Sequence, residues 1–225
     1  MTNLLEKGFK IGFVGGAGTG KTTIARLTSY ALGCEIFEAG EFMRQRARGE
    51  IEVDPTALNG EDDWAVDGEI ARLLADPAWS GVLHGRTPRI IAEGLIKQGK
   101  LSTDKFLMEA VECRPIVRAE RGLAKFREKY DSRATVHDVL TYHTERDRAD
   151  FTRFVQHFGQ SHGLRRPGDL VDTTSRYTRG DSIHSDLLTP MQELVHILFI
   201  LHNFDHISGG GLAVACLRGL AYSRK

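Results

Sequence analysis

Cysteine is scarce: the 225 residues contain three. Cys34, Cys113 and Cys216 lie far apart, in no zinc-ligand or C-x-x-C spacing, which excludes a disulfide framework and reads as a reducing compartment. Long apolar runs are also missing. The most apolar stretch, residues 194–201, is interrupted by His196 and falls well short of the roughly 20 residues a bilayer requires. Residues 1–7 carry no apolar segment of a signal peptide. The expectation is a cytoplasmic protein with no membrane partner. Net charge is absent too, because 30 basic residues balance 30 acidic ones. That balance argues against nonspecific binding to nucleic acid or an anionic surface. There is no internal repeat and no low-complexity tract. The nine histidines form no metal cluster: His137, His143, His202 and His206 have no Cys or carboxylate set to complete a site, and read as surface or core residues.

What remains is an ordinary globular composition, 41% hydrophobic and 27% charged, long enough for one domain with inserts. Five short apolar runs, at 9–14, 34–37, 81–83, 106–111 and 170–172, are separated mostly by helical patterns. That order predicts an α/β fold with a five-stranded parallel sheet flanked by helices. The runs are continuous rather than alternating, as for strands covered on both faces. A helix over 21–32 should stop at Gly33. Pro115 suits the first turn of a helix reaching about residue 129. Thr189-Pro190-Met191-Gln192 combines an N-cap, an N1 proline and a capping-box glutamine. A further helix pattern lies within 135–162, with Thr135 and Asp138 at its start. Ser208-Gly209-Gly210-Gly211 reads as a flexible link to a small C-terminal piece.

The sharpest motif is Gly15-Gly16-Ala17-Gly18-Thr19-Gly20-Lys21-Thr22-Thr23. It fits G-x-x-x-x-G-K-[ST], between an apolar strand and a helix. Glycines let successive backbone amides approach phosphate oxygens, and the helix N-terminus favours the negative charge. Lys21 would reach the β- and γ-phosphates of ATP, with the Thr22 hydroxyl on Mg²⁺. A switch GTPase is not indicated, since the chain has no N-K-x-D segment.

Arginine outnumbers lysine 21 to 9, and its planar fork suits phosphate and carboxylate oxygens. Ala39-Gly40-Glu41-Phe42-Met43-Arg44 follows the second strand, and Gly85-Arg86 follows the third. Arg118, Arg121 and Lys125 make a basic stripe in the phrase Val117-Arg118-Ala119-Glu120-Arg121. In Arg146-Asp147-Arg148-Ala149-Asp150-Phe151-Thr152-Arg153, helical spacing puts Arg146, Asp150 and Arg153 on one face. Phe151, Phe154, Val155 and Phe158 lie on the other, as an anchor. Each segment alone could be a solvated helix face. Their order, closing with Asp172-Thr173-Thr174, resembles that of the cytidylate-kinase-like nucleoside monophosphate kinases across residues 9–174.

The resemblance implies a kinase domain over 1–205, with a helical acceptor-binding arm at about 41–80, a lid at about 128–162, and an extension at 206–225. It implies Mg²⁺-dependent transfer of the ATP γ-phosphoryl group to a nucleoside monophosphate, CMP or dCMP. Lys21, Arg121, Arg146 and Arg153 would stabilise the transferring group. Arg44, Arg86 and Asp150 would hold the acceptor. The chain has His84 and Thr87 where the family carries acidic residues, so no ribose or metal contact is carried over there. Two alternatives stay open: a P-loop kinase of another small acceptor, and a nucleotide-sensing protein without turnover.

Overall fold

The computed structural model describes residues 2–47, 60–158, 183–184, 190–203 and 205–223. In chain order the elements are β1 (Lys10–Val14), α1 (Lys21–Leu32), β2 (Glu35–Glu38), α2 (Ala39–Ala47), α3 (Gly60–Ala75), β3 (Gly81–Gly85) and α4 (Pro88–Lys97). Then come β4 (Phe106–Glu112), α5 (Pro115–Lys129), α6 (Val136–Phe158), β5 (Ile183–His184), α7 (Pro190–Asn203) and α8 (Gly209–Ser223). All pairings are parallel, in the order β2-β3-β1-β4-β5.

The five-stranded expectation is corrected. Four strands make the sheet, and β5 adds only a two-residue pairing of Ile183 and His184 beside β4. The expected fifth strand at 170–172 lies outside the described residues.

The sheet is buried on both faces, which is why its strands read as continuous apolar runs. Ile11 and Phe13, Val82, and Leu107 and Val111 point to one side, where they meet Ile24 and Leu27 of α1, Leu194, Ile197 and Leu198 of α7, and Ala215 of α8. Their neighbours Val14, Leu83, Phe106 and Met108 point to the other side, against Ile70 and Leu74 of α3 and Leu95 of α4. Helix α1 begins at Lys21 and ends on Gly33 in a left-handed C-cap, φ 68°. Helix α1 is therefore clamped between the sheet and the two C-terminal helices.

The glycine run read as a link opens a helix instead. α8 starts at Gly209 and packs on α1 and α7. A Cβ on Gly219 would fall 2.3 Å from Leu194 Cδ2, so the missing side chain lets α7 and α8 approach closely. No described helix is long and apolar enough to cross a membrane.

Helices α5 and α6 form an antiparallel hairpin on the β4 side. The amide of Thr135 donates to Asp138 Oδ2 at 2.7 Å and the amide of Asp138 donates to Thr135 Oγ1 at 3.3 Å. This reciprocal pair opens α6 as a capping box. Phe126, Tyr130 and Tyr142 close the far end with ring centroids 4.9–5.7 Å apart. Of the expected apolar anchor, Val155 is exposed and Phe151 half-buried. The side chains of Phe154 and Phe158 lie outside the described residues.

Candidate phosphate-binding site

The connection from β1 to α1 turns back on itself through glycine. Gly18 and Gly20 have φ of 75° and 96°, where residues with a Cβ are strained. At Gly15 a Cβ would stand 2.4 Å from the carbonyl oxygen of Val111 in β4. Lys21 folds over the loop, its Nζ donating to the Gly16 carbonyl at 2.8 Å, and Thr19 Oγ1 donates to the same oxygen at 3.0 Å. Gly15, Gly16, Ala17, Gly18, Thr19, Gly20, Lys21, Thr22 and Thr23 thus form one continuous cradle. Its mouth coincides with the amide-rich start of a 12-residue helix, a natural seat for an anion.

Three guanidinium groups converge on that mouth from separate elements. Arg118 of α5 is buried against the loop: Nε donates to the Ala17 carbonyl at 2.7 Å and Nη1 meets Asp147 Oδ2 at 2.8 Å. Its Nη2 is buried without a hydrogen-bond partner among the described residues, and a Cβ on Gly16 would stand 3.2 Å from it. Arg86, at the carboxyl end of β3, is hydrogen-bonded to Asp150 of α6, which is 3% exposed. Arg146 of α6 completes the set. Burial, then Arg86, Arg146 and Arg118, press the Lys21 ammonium down to about 7, with Asp147 pulling the other way. Four cations face two carboxylates here, and a polyphosphate is the ligand class that relieves such crowding.

The other expected residues fall elsewhere. Arg44 is half-exposed on α2 and pairs with Glu41 at 2.8 Å. Arg121 is exposed on α5, one turn beyond Arg118, and donates to Cys113 Sγ at 3.7 Å. The side chain of Arg153 lies outside the described residues. Lys21, Arg86, Arg146 and Asp150 are brought together; Arg44 and Arg121 do not join them in this arrangement. The sequence expectation favours Arg121 over Arg118, gives Asp147 no role, and takes His143 as a surface or core residue. For the α6 residues a signal was available, since 143, 147 and 150 share one helical face; the stripe itself does not distinguish Arg118 from Arg121.

At the carboxyl ends of β2 and β3 lies a second polar group. Glu38 is held by Arg26 through two hydrogen bonds, 2.7 and 2.9 Å. Its neighbour in register, His84, brings Nε2 to 3.5 Å from Glu38 Oε2. Burial pushes Glu38 up, but Arg26 and His84 outweigh it and hold it below the usual carboxylate value. Burial, with Lys21 adding to it, depresses His84 to about 4, so its ring is neutral at neutral pH. Among the described residues, no three of His, Cys, Asp and Glu stand as a metal-binding group.

The chain matches no family model and no curated protein. Solved structures resemble it in fold. An uncharacterized protein from Eubacterium ventriosum superposes at TM-score 0.56 and 14% identity, over 88% of this chain and 98% of its own. A Chloroflexus aurantiacus protein provisionally described as a kinase gives TM-score 0.52 and 14% identity, over 90% of this chain and 100% of its own. A gluconokinase from Sinorhizobium meliloti, at TM-score 0.45 and 17% identity over 98% and 99%, is too distant to support any inference. At such identities the likeness shows the fold alone: a parallel sheet flanked by helices.

Proposed function

We propose that this protein is a phosphotransferase that moves the γ-phosphoryl group of ATP to a phosphorylated acceptor, a nucleoside monophosphate, with CMP or dCMP first in order. One observation carries the reading: Lys21, Arg86, Arg118 and Arg146 converge from four elements on the mouth of one glycine cradle. Phosphoryl transfer asks for little covalent chemistry from the protein, and positioned cations supply most of the catalysis. In this reading the loop amides and Lys21 hold the donor polyphosphate, and Arg118 and Arg146 face the transferring group. Arg86 and Arg44 receive the acceptor phosphate, Arg44 by leaving Glu41, and Arg153 belongs to the lid.

A hydroxyl acceptor would want a carboxylate to take up its proton. Asp147 and Asp150 are engaged by Arg118 and Arg86, and Glu38 by Arg26. An acceptor phosphate arrives already ionised and needs no such base, which favours a monophosphate. The preference for cytosine rests on the order of sequence motifs. Mg²⁺ fits the donor set, because it binds through few protein oxygens together with phosphates and water. Thr22 supplies a hydroxyl in the first turn of α1, with no acidic cage beside it among the described residues. When bound, the cation neutralises charge on the phosphate oxygens.

The test is ADP release from ATP·Mg²⁺ with each nucleoside monophosphate supplied separately, alongside gluconate and shikimate. Response to one monophosphate, CMP or dCMP foremost, is expected. Response only to the hydroxyl acids would overturn the acceptor assignment, and tight ATP binding without turnover would point to a nucleotide sensor.

A further inference from the structure

One side chain packed at the cradle has no part in the reading above. His143 of α6 sits against the loop: a Cβ on Gly18 would lie 3.1 Å from its Cε1 and 3.6 Å from its Nδ1. On the ring's other contact, a Cβ on Gly122 of α5 would lie 3.3 Å from Cε1 and 3.6 Å from Nε2. Two glycines, one in the loop and one in α5, therefore leave a slot that the imidazole occupies. Nδ1 is buried and has no hydrogen-bond partner among the described residues. A polar atom in that position costs free energy unless something completes it, and the ring lies against Gly18 of the loop whose amides suit an anion.

Resting on the polyphosphate reading of the loop, we propose that His143 is a further ligand of the donor nucleotide: α6 delivers its Nδ1–H to a phosphate oxygen seated beside Gly18. The lid helix and the bound polyphosphate then fix one another in position. The charged groups that face the ring are Arg118 of α5 and Arg146 and Asp147 of α6. Burial, Arg118 and Arg146 hold the free imidazole below its ordinary value, while Asp147 opposes them. A polyphosphate reverses that balance, since opposite charge nearby favours the imidazolium. Nucleotide binding should therefore raise the titration midpoint of His143, and should take up protons in the acid range.

Two variants separate a hydrogen bond from mere packing. His143→Asn keeps an N–H donor near the Nδ1 position, whereas His143→Gln places its amide near Nε2. The experiment follows the Cε1 proton of His143 by NMR across pH with and without ADP·Mg²⁺, and measures ADP affinity calorimetrically for the wild type, both variants and Lys21→Ala. The expected result is an upward shift of the midpoint on adding ADP. At pH 7.5 His143→Gln should lose about tenfold in affinity, the scale of one hydrogen bond to a charged group, whereas His143→Asn should stay within about threefold of the wild type. If ADP binds saturably, Lys21→Ala abolishes that binding, and the midpoint and the Asn–Gln difference do not move, the histidine only packs and the proposal is wrong. Failure of ADP to bind the wild type at all would instead remove the polyphosphate reading, and this proposal with it.

Discussion

At the scale of single residues, the site depends on groups held in forms they would not choose alone. Arg118 spans the Ala17 carbonyl and Asp147 with different atoms of one guanidinium, and a lysine ammonium cannot reproduce that fork. Arg118→Lys should lower turnover about a hundredfold, the scale of one preorganised donor to developing charge, while ATP affinity changes less; steady-state and binding measurements together check the split. His84 gives a pH signature. Its folded-state value of about 4 lies below the 6.5 of an unperturbed ring, so between those values the unfolded chain binds more protons than the folded one. Stability then rises with pH from 4 to 6.5 and is flat above. Unfolding free energies from urea titrations at pH 4.5 and 7 should differ by on the order of 2 kcal/mol more in the wild type than in His84→Asn. An equal difference in both would show that the ring is not held neutral. Neither effect could be read from sequence. Arg118 and Arg121 look alike on the stripe, and only packing against the loop tells them apart. His143 shares a helical face with Asp147 and Asp150, but its slot is illegible, because two glycines more than a hundred residues apart make it.

At the scale of elements, local chemistry made much of the fold legible. Gly33 and Pro115 mark ends that the structure reproduces at Leu32 and Pro115, since each fixes a backbone conformation without tertiary help. Thr135 and Asp138 open α6 for the same reason. Thr135→Ala should cost about 1 kcal/mol by removing the capping hydroxyl, measured by urea unfolding. It should also lower turnover, because α6 carries Arg146, Asp147 and Asp150. α8 was illegible: three consecutive glycines are poor helix formers, and the close fit of another glycine, Gly219, to Leu194 across the helix pair is a tertiary contact. The short β5 pairing is equally silent in sequence, since two residues make no periodicity.

At the scale of the whole molecule, the two faces of the sheet do different work. One face, with α1, α7 and α8, is a closed apolar block in which Leu194, Ile197, Leu198 and Leu201 have no exposed surface. Leu198→Ala there should destabilise by about 3 kcal/mol through lost burial and a cavity, read as a lower thermal midpoint with the residues of the glycine cradle unaltered. The hairpin α5–α6, by contrast, meets the cradle largely through polar contacts. Such partition has a kinetic corollary. Amides in the clamped middle of α1 should exchange with deuterium only when the whole domain opens, so nucleotide should slow them by no more than its effect on global stability. Amides of α6 should exchange through smaller, local openings and be slowed further as ligand joins the hairpin to the loop. On the proposed reading, the α1 side of the cradle would then behave as a fixed jaw and the α5–α6 hairpin as the one that moves.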